Sequence, residues 1–197
     1  MKNYYQLQLK ELEKIALLEQ KPTLLLHTCC ALCFSSAFMQ IKDYFQISVF
    51  FFNPNIYPLS EYEKRKKELL RLIDIFNKKY NSNIKFIEQK EDFISYNDCK
   101  NHFHKCYDCL NYRLFNSFVY AENNNYDYVT TTLTVGRLKD SYLINSLGET
   151  ISINFNNCKY FYSDFKKNKG IDLSLQLKKE YNIYAQNYCG CEKFYDK

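Results

Sequence analysis

The sequence contains no tryptophan, and glycine and proline are scarce, with 4 and 3 residues. It has no repeats, linkers or low-complexity segments, so each of these few residues is a useful marker of a turn. Long apolar runs are also missing: stretches such as 23–26 and 49–52 are far shorter than the roughly 18 residues that span a bilayer. The first residues, MKNYYQLQLKELEK, are charged and helix-like and do not resemble a signal peptide. We therefore expect a cytoplasmic protein without a membrane partner.

Cysteine, by contrast, is abundant, with 9 residues. Because the cytoplasm keeps thiols reduced, clustered cysteines are interpreted first as metal ligands or catalytic thiols and only second as structural disulfides. The odd number also argues against a fully paired framework. Most of them lie in three clusters, Cys29-Cys30-x-x-Cys33, Cys106-x-x-Cys109 and Cys189-x-Cys191. The pattern indicates metal and redox chemistry.

Chain length and net charge restrict the possible functions less than the cysteines do. A chain of 197 residues suits a single domain with a real core. The net charge of +5 suits contact with phosphates but equally describes a solvated surface. A long predicted helix carries four basic side chains that could likewise contact phosphate or form a solvated face, and we favour the solvated face. They are Lys64, Arg65, Lys67 and Arg71.

Hydrophobic periodicity predicts alternating helices and strands. Helices are expected at 4–20, 34–45, from a capping box of Ser60 and Glu63 onward, around 110–121 and at 174–181. Strands are expected at 23–27, 46–52, 84–87 and 126–132, whereas the segment 141–165 holds a helical pattern and a β-prone stretch, 151–155, in no clear order. The alternation predicts an α/β fold with a mostly parallel sheet and helices on both faces.

The first cysteine cluster follows the strand that ends near His27. In parallel α/β sheets this carboxyl edge is where ligands bind, and the next helix N-terminus favours thiolates. A phosphate-binding loop would contain glycines, and residues 28–33 have none. We expect cysteines to occupy the position that a phosphate takes in nucleotide-binding proteins.

Four thiolates result if Cys106 and Cys109 join Cys29 and Cys30. Such a set suits zinc or a 4Fe–4S cluster. Neighbouring side chains tend to point apart, which is awkward for one zinc ion but allows contact with two irons of a cluster. This reasoning favours iron–sulfur over zinc.

The remaining candidates keep alternative roles. The pair Cys189 and Cys191, separated by one glycine, predicts either a strained, reducible disulfide or further metal ligands. Cys33 is a candidate for a second-metal ligand, a proton donor or a packed thiol. His27 could orient a thiolate or give protons, or it could be a hydrogen-bonded core residue. His102 and His104 are candidate metal ligands or part of a polar surface loop, and Asp140 has an open role near the site. Cys99 and Cys158 are expected to be structural.

Taken in order, several motifs resemble the QueH-type epoxyqueuosine reductase family over roughly residues 23–193, leaving 1–22 as an N-terminal helical extension. They are Leu26-His27-Thr28-Cys29-Cys30-Ala31-Leu32-Cys33, Phe52-Asn53-Pro54-Asn55-Ile56, Glu61-Tyr62-x-x-Arg65, Cys106-x-x-Cys109-x-x-x-Arg113-Leu114, Thr130-Thr131-Thr132-Leu133, Asp164-Phe165-Lys166-Lys167 and Tyr188-Cys189-Gly190-Cys191-Glu192. The sequence departs from the family at Leu32, at Gly136-Arg137 and at 101–105, and these changes leave the thiols intact.

The resemblance implies a single Rossmann-like domain and an oxidoreductase that converts epoxyqueuosine to queuosine at the tRNA wobble position, the final step of queuosine biosynthesis. It implies a 4Fe–4S cluster on Cys29, Cys30, Cys106 and Cys109, with an additional mononuclear iron beside it, for which Cys33 remains a possible ligand. Cys189 and Cys191 match a pair that is either redox-active or metal-binding. The partners implied are the tRNA anticodon loop and an unidentified electron donor.

Recognition of an extruded anticodon base requires aromatic and basic side chains. The candidates are Tyr57, Tyr62, Arg65, Arg113 and Arg137. Two competing hypotheses use the same cysteines: a zinc-stabilised RNA-binding module without catalysis, and a thiol–disulfide oxidoreductase that relies on Cys189 and Cys191 alone.

Overall fold

The computed structural model describes residues 2–90, 105–137 and 139–194. Within these ranges the chain alternates helices with strands. The α-helices are α1 (Tyr4–Ile15), α2 (Ala31–Ile41), α3 (Leu59–Tyr80), α4 (Lys105–Asn123), α5 (Ser141–Ser152) and α6 (Gly170–Glu180). The strands are β1 (Thr23–His27), β2 (Gln46–Phe51), β3 (Lys85–Glu88), β4 (Tyr128–Thr131) and β5 (Lys159–Tyr160). Short 3-10 helices cover Thr132–Val135 and Glu192–Phe194.

The strands form one sheet in the order β3-β2-β1-β4-β5, and all neighbouring pairs are parallel. His27, the last residue of β1, pairs with Phe50 on one side and Thr131 on the other. Parallel pairing brings the carboxyl ends of β1, β2 and β4 to one edge. The predicted α/β fold is confirmed.

Both faces of the sheet are covered, which explains the continuous apolar run of β1. Leu24 and Leu26 point to one face, where they pack in a core with residues of α1, α2, α3 and α6. Leu25 points to the other face and packs with residues of α4 and α5. The prediction of helices on both faces is therefore confirmed, and the sheet is the shared wall of two hydrophobic cores.

Several predicted helix boundaries are wrong, among them 34–45, where α2 spans Ala31–Ile41. The first helix ends at Ile15 and not at residue 20, because Leu17 and Leu18 beyond it are 86% and 54% exposed and bury little surface. The helix α3 begins at Leu59 with Pro58 as its N-cap, so Ser60 lies inside the first turn and forms no capping box. The Pro58 carbonyl accepts the first turn's N–H groups instead, at 2.9 and 3.2 Å.

The structure shows the order of elements in the segment 141–165, for which the sequence predicted none. The β-prone stretch 151–155 is not a strand, because Ile151 belongs to the last turn of α5 and packs its side chain in the core. The edge strand follows later, as β5, and pairs with β4. The last predicted helix also begins earlier, at Gly170.

The N-terminal helix contributes to the core that lies beside α2, through Leu12 and Ile15. Its polar side also forms hydrogen bonds: Gln8 accepts one from the Asp164 N–H in the loop after β5 at 2.8 Å, and Glu11 accepts one from the Tyr128 hydroxyl of β4 at 2.8 Å. The division into 1–22 and 23–193 stays a prediction. No helix of the described ranges has both the length and the apolarity that a membrane span requires.

Candidate metal and redox site

Three thiols meet at the carboxyl end of β1. The chain leaves the strand after His27, and Cys30 is the extended N-cap of α2, with φ −166° and ψ 158°. The sulfurs of Cys29 and Cys30 lie 4.0 Å apart, and those of Cys29, Cys30 and Cys33 lie within 4.8 Å of one another. Neighbouring thiols therefore converge, against the expectation that they point apart. Among the described residues this is the one group of three side chains that could hold a metal ion.

Contacts within the group shift the pKa values of its three thiols in opposite directions. Hydrogen bonds from Cys30 and Cys33 lower the pKa of Cys29 well below its usual value, and the nearby charges of Arg113 and Arg65 lower it further. The same hydrogen bond with Cys29 raises the pKa of Cys30 to about 12, and the pKa of Cys33 rises for the same reason. A metal ion that replaced the thiol protons would bind a set of three thiolates.

Arg113 is a buried cation beside this group, with 3% of its surface exposed. Its Nε lies 3.3 Å from His27 Nε2, and its Nη2 donates to Asn53 Oδ1 at 2.6 Å. Asn53 in turn donates to the Thr28 carbonyl at 2.8 Å. The guanidinium is thus held from the ends of β1 and β2, next to the cysteine loop.

His27 is completely buried and works as an acceptor for Arg113. The Arg113 Nε donates to Nε2, which also lies 3.2 Å from the Phe52 carbonyl, and Nδ1 lies 2.8 Å from Thr131 Oγ1. Burial, and then the charge of Arg113, lower the pKa of His27 to about 3. His27 is therefore the hydrogen-bonded core residue that the sequence offered as an alternative, and it is neutral at physiological pH.

Arg65 is a second buried cation, and it fixes the last cysteine pair. Its side chain is inaccessible to solvent and binds Glu61 Oε1 through Nε at 2.7 Å. Its two Nη atoms donate to the carbonyls of Cys189 and Tyr188 at 3.4 and 3.3 Å. The Tyr184 hydroxyl completes the group by donating to Glu61 Oε2 at 2.8 Å. The predicted solvated position of Arg65 is wrong.

Gly190 allows the cysteine pair to approach the loop after β2. Its φ of +105° is unfavourable for residues with a side chain, and an added Cβ would lie 2.9 Å from Ile56 Cγ1. Its carbonyl accepts a hydrogen bond from the Tyr57 N–H at 2.8 Å, and the Tyr188 hydroxyl donates to the Tyr57 carbonyl. The Gly190 carbonyl and the Tyr188 side chain therefore set the position of the pair by binding the backbone of Tyr57.

The second cluster lies in the first two turns of α4, where Cys106 is exposed and Cys109 is half-buried. A spacing of three residues places both on one side of the helix, and Arg113 follows four residues after Cys109 on that side. Burial raises the pKa of Cys191, and the charges of Cys189 and Cys109 raise it further, so the last two clusters lie near each other. The four-thiolate set with Cys106 and Cys109 stays a prediction, as does the role of Cys33 at a second metal.

All eight cysteines in the described ranges are free thiols, including Cys189 and Cys191, whose disulfide stays a prediction. Cys158 is buried in the core beside α4, consistent with a structural role. Asp140 caps α5 by accepting the N–H groups of Tyr142 and Leu143. Cys99, His102 and His104 lie outside the described residues.

The residues predicted to contact nucleic acid form a buried group and an exposed group. Tyr62, Arg65 and Arg113 are buried, and both arginines bind protein groups, so they are poorly placed to contact phosphate. Tyr57, at 41% exposure, and Arg137 are at the surface. A cavity of about 350 Å³ lies beside Tyr57, walled by the 53–57 loop, α3 and residues 89–90.

Sequence reasoning missed two polar groups of the site. Asn53 belongs to one of the family motifs but was given no role. Its position just after a parallel strand could have indicated that it lies at the site. The ion pair of Glu61 and Arg65 also had a signal, since they are four residues apart on a helix. Their burial has no signal in the local sequence because it depends on the returning C-terminal segment.

Fold and site together define a Rossmann-like α/β protein with a buried thiol group that could bind a metal at the carboxyl edge of its sheet. A family model described as Epoxyqueuosine reductase QueH matches residues 24–195. The chain belongs to this family.

Several curated relatives carry the same name, Epoxyqueuosine reductase QueH. The protein of Staphylococcus epidermidis is 36% identical over 181 residues, which cover 87% of this chain and 76% of the relative. That of Acinetobacter baylyi is 33% identical over 187 residues, with 90% and 83% covered. That of Thermotoga maritima is 30% identical over 177 residues, with 86% and 88% covered.

Proposed function

We propose that this protein is a cytoplasmic, iron–sulfur-dependent oxidoreductase that reduces epoxyqueuosine to queuosine at the wobble position of tRNA. The observation that carries the proposal is the convergence of Cys29, Cys30 and Cys33 beside two buried arginines, in a chain of the QueH family. The reaction removes the epoxide oxygen as water and needs two electrons and two protons. It is the final step of queuosine biosynthesis.

The cluster ligands proposed are Cys29, Cys30, Cys106 and Cys109, with Cys33 as a candidate ligand of an additional mononuclear iron. When bound, the 4Fe–4S cluster supplies electrons and a Lewis-acidic metal to the epoxide oxygen. The donor set suits this group, because thiolates are its ordinary ligands and they lie at the N-terminal ends of α2 and α4. A set of four thiolates carries excess negative charge, of which Cys29 and Cys30 contribute a buried part, and the site provides cations.

Those cations are Arg65 and Arg113, whose charges act on Cys29. Their hydrogen bonds to fixed protein groups prevent them from turning toward solvent, so their charge costs little reorganisation during the reaction. The neutral His27 holds Arg113 without cancelling its charge. The chain therefore stabilises an anionic site through two arginines that are held in place from different elements.

The pair Cys189 and Cys191 is proposed as the redox-active dithiol. Its oxidation to a disulfide forms one S–S bond and releases two electrons and two protons, which balance the loss of the epoxide oxygen as water. The raised pKa of Cys191 keeps its proton on the sulfur at neutral pH. An unidentified external donor must then reduce the disulfide before the next turnover.

The surface beside this site suits an unpaired RNA loop. Anticodon bases that leave their stack are bound by aromatic side chains, and Tyr57 offers an exposed ring at the cavity of about 350 Å³. Its backbone already contacts Gly190, so a nucleotide there would lie next to the dithiol. Arg137 is the exposed basic candidate for a phosphate contact.

The direct test incubates the anaerobic, reduced protein with tRNA that carries epoxyqueuosine and measures queuosine by mass analysis of the nucleosides. We expect conversion by the wild type and by Cys158→Ser, a buried thiol away from the site. Cys30→Ser and Cys191→Ser should lose conversion. If the wild type leaves epoxyqueuosine unchanged with iron bound and a chemical reductant present, the proposal is wrong.

A second candidate follows from one distance. Tetrahedral zinc with Zn–S bonds of about 2.3 Å separates its sulfurs by about 3.8 Å, close to the 4.0 Å between Cys29 and Cys30. The triad could therefore bind a single zinc ion in an RNA-binding protein without catalysis. Metal analysis separates the two candidates, because only the first requires acid-labile sulfide.

A further inference from the structure

The imidazole of His27 lies between three groups that compete for its two nitrogens. Nε2 is 3.3 Å from Arg113 Nε, which donates, and 3.2 Å from the Phe52 carbonyl, which can only accept. Nδ1 is 2.8 Å from Thr131 Oγ1. The ring is completely buried and neutral, so it carries one proton. The nitrogen that holds this proton decides which neighbour loses its partner.

The buried guanidinium favours one of the two tautomers. With the proton on Nδ1, Nε2 accepts a charge-assisted hydrogen bond from Arg113, and such bonds are about twice as strong as neutral ones. With the proton on Nε2, the ring donates to the Phe52 carbonyl and presents a second donor to the Arg113 N–H. A charged donor without an acceptor costs more than a neutral carbonyl without a donor. The contact with Arg113 therefore requires the proton on Nδ1.

Thr131 supplies the acceptor that this tautomer needs. Among the described residues its hydroxyl oxygen is the one partner of His27 Nδ1. Thr131 is the last residue of β4 and is completely buried, and its Oγ1 also accepts the Leu133 N–H at 3.2 Å. A hydroxyl oxygen that binds one donor still has a second lone pair. The backbone thus holds Oγ1 where it can accept the imidazole proton.

We propose that Thr131 is a positioning residue of the reductase: its hydroxyl accepts the Nδ1 proton of His27 and so leaves Nε2 to hold Arg113 beside the thiol group. The assignment rests on the proposed function and gives a role to a family motif. Without this hydroxyl the imidazole proton moves to Nε2 and binds the Phe52 carbonyl. Arg113 then keeps its bond to Asn53 but loses the one that fixes Nε. The change occurs within one neutral ring and alters no net charge.

The neighbouring threonine provides a matched control. Thr131→Val removes the hydroxyl and keeps the branched shape, and Thr131→Ser restores the hydroxyl. Thr130→Val removes an equally buried hydroxyl from the same strand, one that donates to Ser163 at 3.1 Å. Because successive side chains of a strand point to opposite faces, the Thr130 hydroxyl lies away from His27. This variant therefore reports the effect of losing a buried hydrogen bond alone.

The first measurement identifies the tautomer directly. NMR chemical shifts of the two ring nitrogens of His27 are recorded in the full-length, metal-free protein. We expect the proton on Nδ1 in the wild type, in Thr131→Ser and in Thr130→Val, and on Nε2 in Thr131→Val. A wild type with the proton on Nε2 overturns the proposal, as does a Thr131→Val protein that keeps the proton on Nδ1.

The second measurement is steady-state kinetics with epoxyqueuosine-containing tRNA. Thr131→Val should lower kcat about tenfold, with KM and iron content within about twofold of wild type. The loss is smaller than the roughly hundredfold loss on removing a charge-stabilising donor itself, because Arg113 is still present. Thr131→Ser and Thr130→Val should keep kcat within about threefold of wild type.

Equal losses of kcat in Thr131→Val and Thr130→Val would reduce Thr131 to a packing role and contradict the proposal. A wild type that binds iron but converts no epoxyqueuosine would instead refute the reductase function. The two failures are distinguishable, because the tautomer of His27 is measured without iron or tRNA.

Discussion

Arg113 donates a hydrogen bond from Nε to His27 Nε2 across 3.3 Å, and both side chains are buried. Replacing Arg113 by Met leaves two buried acceptors, His27 Nε2 and Asn53 Oδ1, without their donor. We expect the free energy of unfolding to fall by about 3 kcal/mol, measured by urea denaturation of the metal-free protein. The exposed Arg137→Met should change it by less than about 0.5 kcal/mol. Equal effects of the two substitutions would contradict the role given to Arg113.

Arg65→Lys keeps the charge but not the fork that binds Glu61 and two carbonyls at once. We expect amide hydrogen exchange over residues 184–191 to accelerate at least tenfold, because this segment loses its attachment to α3. Lys67→Arg, the reverse exchange at an exposed position of the same helix, serves as the control and should leave that protection nearly unchanged. Unaltered exchange in Arg65→Lys would show that the C-terminal segment is held by other contacts.

Gly190→Ala places a methyl group where only 2.9 Å separates it from Ile56 Cγ1, at a φ of +105°. We expect a loss of about 2 kcal/mol in the free energy of unfolding and a large loss of reductase activity, since the cysteine pair must move. Gly136→Ala is the matched control, because its nearest neighbour is at 3.5 Å and its φ is −66°. Wild-type activity in Gly190→Ala would exclude a tight positional requirement for the pair.

Glu68 makes the stability of the protein depend on pH, and it contacts the C-terminal segment through the Tyr184 N–H. Its hydrogen bond with Arg71, helped by the Tyr184 N–H, lowers its pKa below the usual 4.5. The folded state therefore binds a proton less readily than the unfolded state, so the stabilisation is present above pH 4.5 and is lost as the pH falls through the lower, folded value. The difference in unfolding free energy between wild type and Glu68→Gln, measured by urea denaturation from pH 6 to pH 3, should shrink with acid. A difference that stays constant over this range would show that Glu68 does not contribute in this way.

The sequence predicted the elements whose signal is local. The strand Thr23–His27 was predicted with its observed bounds because it is a short apolar run buried on both faces and stops before a cysteine loop. Arg65 could not be placed, because a basic residue on a helix is ordinarily solvated. Its burial requires the carbonyls of Tyr188 and Cys189, more than a hundred residues away in the sequence.

The arrangement of the cysteine side chains also could not be predicted, even where the residues are adjacent in the sequence. Spacing grouped them into three clusters, but the direction of adjacent side chains depends on backbone angles that spacing does not contain. The extended conformation of Cys30 turns its sulfur toward that of Cys29, and the start of α2 adds Cys33. A thiol whose role the sequence left open thus lies in the tightest group of the site.

The most direct test of a shared iron–sulfur site is the iron and acid-labile sulfide content of the protein purified without oxygen. We predict a brown wild-type protein with about four to five irons and about four sulfides per chain. Cys30→Ser and Cys109→Ser should lose most of both, and Cys158→Ser should retain them. A colourless wild-type protein with one zinc per chain and no sulfide would contradict the account.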